Sequence, residues 1–317
     1  MFDNFSPSPE SPVLVIGAAS LDAIGRLQSS LKMGTSNPAH IRTSSGGAAR
    51  NVAENLARLG QPVILLSAVG DDPNGEQVLQ QTKEAGVNVD YVLRSDHHPT
   101  GTYLGMVSSN GNLQVAVDDM RVIDELTPDY IRQHERLFRS ASSVLFDANL
   151  PKDSLRTVVS LARKAKLPIC ADPTSNSLAD KLRPHLKRLF MVTPNSAEAA
   201  ILAGQPVTAS RRKEALDAAK KLVSEGVSVV IIALAEFGVC YATSETSGQI
   251  PAIRTKILDP TGAGDALTAT TLFALLNDIS IDEAIRLGIS AASMTLGHPG
   301  AVRPDLSLEH LYDHLIL

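Results

Sequence analysis

The chain has no tryptophan, few aromatic residues and only two cysteines among its 317 residues. Cys170 and Cys240 sit in apolar, strand-like runs and belong to no CxxC or Cys/His cluster, so neither a disulfide framework nor a structural metal site organises the fold. Positive charge is not in excess: 29 Lys and Arg face 34 Asp and Glu, for a net charge of -5. A binder of nucleic acid or of an anionic membrane needs clustered positive charge, so neither partner is expected, and an anionic substrate must be met by local donors. No apolar run is long enough to span a bilayer, and residues 1–12 lack the basic and apolar regions of a signal peptide, which points to a cytoplasmic protein with a flexible tail over 1–12. Two phosphate loops are also missing. There is no Gly-x-x-x-x-Gly-Lys-Ser/Thr run, and Val13 to Gly17 is not followed by Gly-x-Gly-x-x-Gly, which disfavours a dinucleotide-dependent oxidoreductase.

What is present is a glycine turn, Asp259-Pro260-Thr261-Gly262-Ala263-Gly264-Asp265, running into the helix-favouring stretch Ala266 to Leu276. Such a turn places unpaired helix N–H groups around an anion site, and Asp265 in the first helical turn can take a proton from an attacking hydroxyl. The same pattern also serves as plain helix punctuation. A second glycine turn, Ser45-Gly46-Gly47-Ala48-Ala49-Arg50-Asn51, opens a helix with Val52, Leu56 and Leu59 at helical spacing. Its glycines allow close approach to the backbone, either for a ligand or for packing, and Asn51 offers a polyol both a donor and an acceptor.

The chain otherwise alternates strand and helix. Strands are expected at Val13–Gly17, Val63–Val69, Val87–Leu93, Ser143–Asp147, Leu167–Ala171, Leu189–Val192, Val227–Leu234 and Val239–Thr243, with helices at 74–85, 127–139, 152–165, 263–276 and 281–296 between or after them. This predicts an α/β fold with a doubly wound, mostly parallel sheet and helices on both faces. Shorter pieces interrupt it: Ala23–Leu27 and Ala39–Thr43, and an antiparallel pair, Thr102–Ser108 with Leu113–Val117, around the hairpin signal Asn110-Gly111. They predict a small β-sheet lid drawn from about 20–43 and 101–118 on a single domain of residues 13–317. Asp22, Asn149 and Asp172 stand just past strands, where such sheets bind ligands, although a loop carboxylate is as often merely solvated. Asp118 and Asp119 follow the hairpin and fit either acid/base work or a solvated turn. Asn195 and Glu198 have a sufficient structural reason as a capping box.

The order Gly46-Gly47 with Asn51, then Asn195-x-x-Glu198, then Gly262-Ala263-Gly264-Asp265, on an alternating α/β chain, resembles the ribokinase-like (PfkB) sugar and nucleoside kinases from about Val13 to the C-terminus. The resemblance implies that Asp265 is the base and that the N–H groups of Gly262, Ala263 and Gly264 stabilise the transferring phosphoryl group. It implies that Asp22, Gly46, Gly47, Asn51 and Asn149 hold sugar hydroxyls, and that Asn195 and Glu198 organise Mg2+ and its waters beside ATP. Asp259 matches a position associated with a monovalent cation, K+. A homodimer through the lid is implied as well. Within the family the chain is similar to a branch of bacterial pseudouridine kinases, on Ser36-Asn37-Pro38, the Gly46–Asn51 block with its following helix, and Val115–Met120. That implies ATP-dependent phosphorylation of a nucleoside 5′-hydroxyl with Asp118 and Asp119 near the base; Asp118 stands where those relatives carry Asn. Relatives also carry Thr/Ser-x-Gly before the nucleotide loop. Here Ala233-Leu234-Ala235 stands there, with Gly238 beyond it, so weaker or altered nucleotide binding without loss of activity is expected; the alternatives are a ribokinase-like kinase of another nucleoside or sugar and a silent nucleoside-binding protein.

Overall fold

Val13 to Ile16 (β1) is apolar at every position because both of its faces are covered. The computed structural model describes residues 11–316. Residues 1–10 of the expected tail lie outside the described residues, whereas Ser11 and Pro12 are fastened through their carbonyls to Gln61 Nε2 (3.1 Å) and Ser142 N (2.8 Å). After β1 come β2 (Ser20–Leu27), β3 (Ala39–Gly46), α1 (Ala48–Arg58), β4 (Val63–Gly70), α2 (Pro73–Glu84), β5 (Asn88–Ser95), β6 (Gly101–Val107) and β7 (Leu113–Asp119). The middle of the chain supplies α3 (Pro128–Gln133), α4 (Glu135–Ser140), β8 (Ser143–Asp147), α5 (Lys152–Lys164), β9 (Ile169–Asp172), α6 (Asn176–Ala179), β10 (Met191–Val192) and α7 (Ser196–Ala203). The last third adds α8 (Arg212–Ser224), β11 (Val229–Ala233), β12 (Val239–Thr243), β13 (Ser247–Ile250), α9 (Ala263–Leu276), α10 (Ile281–Leu296) and α11 (Leu308–Ile316). The single helix expected over 127–139 is broken at His134, whose backbone (φ -101°, ψ 18°) leaves the helical range between α3 and α4.

Among the described residues nine strands form the main sheet in the order β13-β12-β11-β10-β9-β8-β1-β4-β5, with every neighbouring pair parallel except β11–β12 and β12–β13, so that β12 alone runs against the rest. Alternate residues serve opposite faces. Val13, Val15, Leu145 and Ile231 pack with α1, α9 and α10, while Leu14, Ile16, Phe146 and Ile232 pack with α3 to α5 and α7 to α8. The chain leaves β1 for β4 and β5 on one side, then returns to β8 and builds outward on the other. The topological switch therefore falls between β1 and β8, and a crevice opens at their carboxyl ends. Cys170 and Cys240 are buried free thiols in this core.

A separate four-stranded sheet, β3-β2-β6-β7, stands over that carboxyl edge. Its outer pairs are antiparallel, and Gly111 (φ 87°) turns the β6–β7 hairpin as the Asn-Gly signal predicts. At the centre of the lid β2 and β6 run parallel. Each leaves the main sheet directly after a parallel strand, β1 and β5, so both enter the lid in the same direction. β2 also begins earlier than expected. Asp22 thus lies inside a strand, 7% exposed, and is not a solvated loop residue.

Candidate active site

Asp265 is the third residue of α9, whose first-turn N–H groups have no helical partner and open onto the crevice. Gly262 (φ 78°) is the helix N-cap, and a Cβ on it would collide with the Ala301 carbonyl. Nothing lies within 4 Å of the position a Cβ would take on Gly264, which lines a cavity instead. The first glycine is required by the protein's own packing; the second keeps space open for something else. Asp265 accepts from Asn51 Nδ2 at 2.8 Å. Burial pushes its pKa up to about 7; the Asn51 hydrogen bond opposes this, and Asp147 and Asp22 add to it. A carboxylate with that value is suited to exchange a proton near neutrality.

Asn51 is aimed from below. Arg50 Nη1 donates to its Oδ1 (2.9 Å), so its amide nitrogen is turned to Asp265. Arg50 itself is buried, with further bonds to the Ser45 carbonyl (3.0 Å) and Thr82 Oγ1 (3.1 Å) and an ion pair to Glu54. Asp22 accepts from Ser20 Oγ (2.9 Å), and burial raises its pKa to about 6 against the pull of Ser20 and Arg50. Glycine at 46 is what lets that carboxylate lie against β3, since a Cβ there would overlap it, and Gly47 (φ 92°) would likewise strike the Ala18 backbone. Asp147, the last residue of β8, ties this half together: its carboxylate accepts from the N–H groups of Ala18 (2.8 Å), Ala49 (3.0 Å) and Asn149 (2.9 Å).

In the other half of the crevice, Asn195 and Glu198 form the expected capping box of α7. Asn195 Oδ1 accepts from the N–H groups of Ala197 (2.9 Å) and Glu198 (3.0 Å), and Glu198 Oε2 accepts from Asn195 N (2.9 Å). Burial raises the Glu198 pKa and lifts Asp172 well above the usual carboxylate range, the latter helped by Asp265 and Glu198. Ala235 has φ 51°, the left-handed region where glycine is at ease, so the alanine at the expected glycine position carries backbone strain.

Two adjoining cavities meet at Asp265. One, about 270 Å³, is lined by Asp22, Gly47, Asn51, Asn149 and Gly262 below and by Tyr103, Asp118 and Met120 of the lid. The other, about 440 Å³, is lined by Asn195, Glu198, Ala233, Thr193 and Gly264. Asp172, Thr174, Thr261 and Tyr103 border both. Among the described residues no Lys or Arg lines the second cavity, so an anionic group there would meet N–H dipoles and any bound metal. Six of the expected residues line neither cavity: Gly46 and Ala263, each next in sequence to a lining residue, and Asp119, Ala235, Gly238 and Asp259. Asp119 points to an exposed pair with Arg121 (2.6 Å), which lowers its pKa to about 2. Ala235 is exposed, and Gly238 (φ 87°) is required by the nearby Ile250 carbonyl. Asp259 lies beneath the turn, its Oδ1 accepting from Thr261 N (3.0 Å) and Oγ1 (2.6 Å), its Oδ2 from Gly300 N (3.2 Å) and from Arg42. Reading the sequence singled out neither Tyr103 nor Thr174, and gave no role to Asp147 or Arg50; the available signal was a charged residue inside an otherwise apolar strand or glycine block.

A parallel sheet with this switch point, a buried carboxylate at a helix N-terminal glycine turn and a lid sheet fit a phosphotransferase acting on an alcohol group. The sequence matches the pfkB family carbohydrate kinase profile over residues 11–307, and the chain belongs to that family. It is 32% identical over 300 residues to the pseudouridine kinase of Escherichia coli (strain K12), covering 94% of this chain and 95% of that one. It is 29% identical over 283 residues to the guanosine-inosine kinase of Exiguobacterium acetylicum, covering 89% and 93%. The structure of Arabidopsis thaliana ribokinase complexed with ribose and ATP superposes with a TM-score of 0.82 at 24% identity, covering 97% of this chain and 99% of that one.

Proposed function

We propose that the protein transfers the γ-phosphoryl group of ATP to the 5′-hydroxyl of a ribonucleoside, with pseudouridine as the preferred acceptor. The observation that carries this reading is the first cavity, in which sugar-gripping groups (Asp22, Gly47, Asn51) and lid groups (Tyr103, Asp118, Met120) share one space beside Asp265. A free ribose would leave the lid end without contacts. In pseudouridine both ring nitrogens carry hydrogen, one more donor than in uridine, and Asp118 supplies an acceptor at that end. The 32% identity to a pseudouridine kinase supports the same choice.

In this mechanism Asp265 takes the proton of the 5′-hydroxyl as the oxygen bonds to the γ-phosphorus and the bond to ADP breaks. Asn51 holds the carboxylate in place, and the N–H groups of Gly262, Ala263 and Gly264 stabilise the equatorial oxygens. Among the described residues no group of three or more His, Cys, Asp and Glu could hold a metal by itself. Glu198 and Asp172 beside the phosphate cavity suit Mg2+, which keeps water and takes one or two carboxylates together with phosphate oxygens. Bound there, it would neutralise charge on the phosphates. No described helix is long and apolar enough to cross a membrane; we place the enzyme in the cytoplasm, where ATP is supplied, as a homodimer joined through its lids.

The test is a phosphorylation screen with ATP and Mg2+ across pseudouridine, uridine, guanosine, inosine and ribose. Pseudouridine should give the highest kcat/KM. A higher value for ribose than for every nucleoside would overturn the nucleoside assignment.

A further inference from the structure

The residues around Asp259 do not fit the expected potassium ion. A carboxylate offers about four lone-pair positions. At Asp259 they are taken by the Thr261 N–H and hydroxyl on Oδ1 and by the Gly300 N–H and the Arg42 guanidinium on Oδ2. A cation brought to this carboxylate has to displace one of those donors and approach a fixed positive charge. Asp259 is only 2% exposed, and a carboxylate so deep needs a counter-charge. His298 feels both charges, but burial and then Arg303 push its pKa below the usual value, so it is neutral at physiological pH. The counter-charge is Arg42.

Arg42 belongs to the lid, on β3, and reaches down with its side chain 47% exposed. Arg26 on β2 reaches beside it, donating to the Leu258 carbonyl and to the Ser109 carbonyl (2.9 Å) at the lid's own hairpin. Two lid strands thus grip two consecutive residues, Leu258 and Asp259. Asp259 in turn orients Thr261, next to the Gly262 N-cap of α9. The path from lid to phosphate turn is short and made of charged hydrogen bonds, which are stronger than neutral ones.

We propose that Arg42 is the built-in cation of the phosphate turn. It is a positioning residue: it supplies at Asp259 the charge a monovalent ion would otherwise supply, and it makes the shape of the turn depend on the lid lying over the site. Phosphoryl transfer in this chain is then independent of potassium, and removal of Arg42 creates a potassium requirement that the parent lacks.

The experiment measures melting temperature and turnover of the full chain and of Arg42→Met and Arg42→Lys, in KCl and in tetramethylammonium chloride at equal ionic strength, with pseudouridine, ATP and Mg2+ for the kinetic arm. The parent should melt and turn over alike in the two salts. Arg42→Met should lose roughly ten-fold or more in kcat in tetramethylammonium, with a smaller change in nucleoside KM, because a displaced turn misplaces the transferring group. It should recover rate and melting temperature as KCl is added, because the bare carboxylate then takes up the ion. Arg42→Lys, which keeps the charge, should stay indifferent to KCl. A parent whose rate or melting temperature rises specifically with potassium, or an Arg42→Met chain as indifferent to it as the parent, would overturn the proposal. The melting arm needs no substrate, so a failure of the pseudouridine assignment is distinguishable from a failure here.

Discussion

Asp265, the proposed base, gives the sharpest test by pH. With its pKa at about 7 and that of Asp22 at about 6, both raised first by burial, kcat/KM should fall about ten-fold per pH unit below 7 and more steeply below 6. A pH–rate profile checks this; a flat profile down to pH 5 would remove Asp265 as the base. The same shift acts on stability. Because the folded value lies above the ordinary 3.8, the folded chain holds the proton more tightly, and that stabilisation is lost as pH rises from 3.8 through about 7. Asp265→Asn, neutral throughout, should therefore melt higher than the parent at pH 8, by a margin that shrinks towards pH 5. Ala235 gives a second prediction. Its left-handed φ costs about 1 kcal/mol, so Ala235→Gly should raise the melting temperature by about 2 °C and lower the KM for ATP. An unchanged or lower melting temperature would show that the strain is relieved elsewhere.

Among the elements, α9 and its turn separate structural from functional glycine. Gly262→Ala should be poorly folded, because its φ is positive and its Cβ meets the Ala301 carbonyl. Gly264→Ala should fold with an unchanged melting temperature, since no protein atom lies near its Cβ, yet lose turnover because the methyl group enters the phosphate cavity. Circular dichroism melts beside steady-state kinetics distinguish the two. Much of this was legible in the sequence. Buried parallel strands leave unbroken apolar runs, glycine turns mark helix starts, and the Asn195 and Glu198 box is local. Asp147 was not legible because two of its three donors lie far away in sequence, Ala18 across 129 positions and Ala49 across 98; Arg50 has near partners in Ser45, Asn51 and Glu54, but its bond to Thr82 spans 32. The parallel β2–β6 pairing escaped for the same reason, since hairpin signals report only neighbouring strands. Asp118 and Asp119 part company because neighbouring residues of a strand take opposite faces, and adjacency in sequence does not say which face meets the cavity.

For the molecule as a whole, the lid has a site face and an outer face. Asp22, Ile24 and Tyr103 look into the cavities, while Ile41, Leu104, Met106, Val115 and Val117 on the other side are 37–74% exposed. Leu104 faces Val117 and Met106 faces Val115 across β6 and β7, so the apolar residues form continuous rows. Such a patch on a water-exposed sheet favours a partner of the same kind, and a second lid supplies one. Sedimentation should show a dimer that becomes a monomer on Leu104→Glu with Val117→Glu. A parent monomer at micromolar concentration would contradict the lid interface while leaving the catalytic account intact.

Asp265 is proposed to deprotonate a nucleoside 5′-hydroxyl poised between the two cavities. Turnover of pseudouridine by Asp265→Asn, measured beside calorimetric binding of the same nucleoside, tests it most directly. The account predicts a kcat lower by roughly 10²–10⁴-fold with nucleoside affinity retained. Turnover close to that of the parent, with product confirmed as the 5′-phosphate, would contradict it.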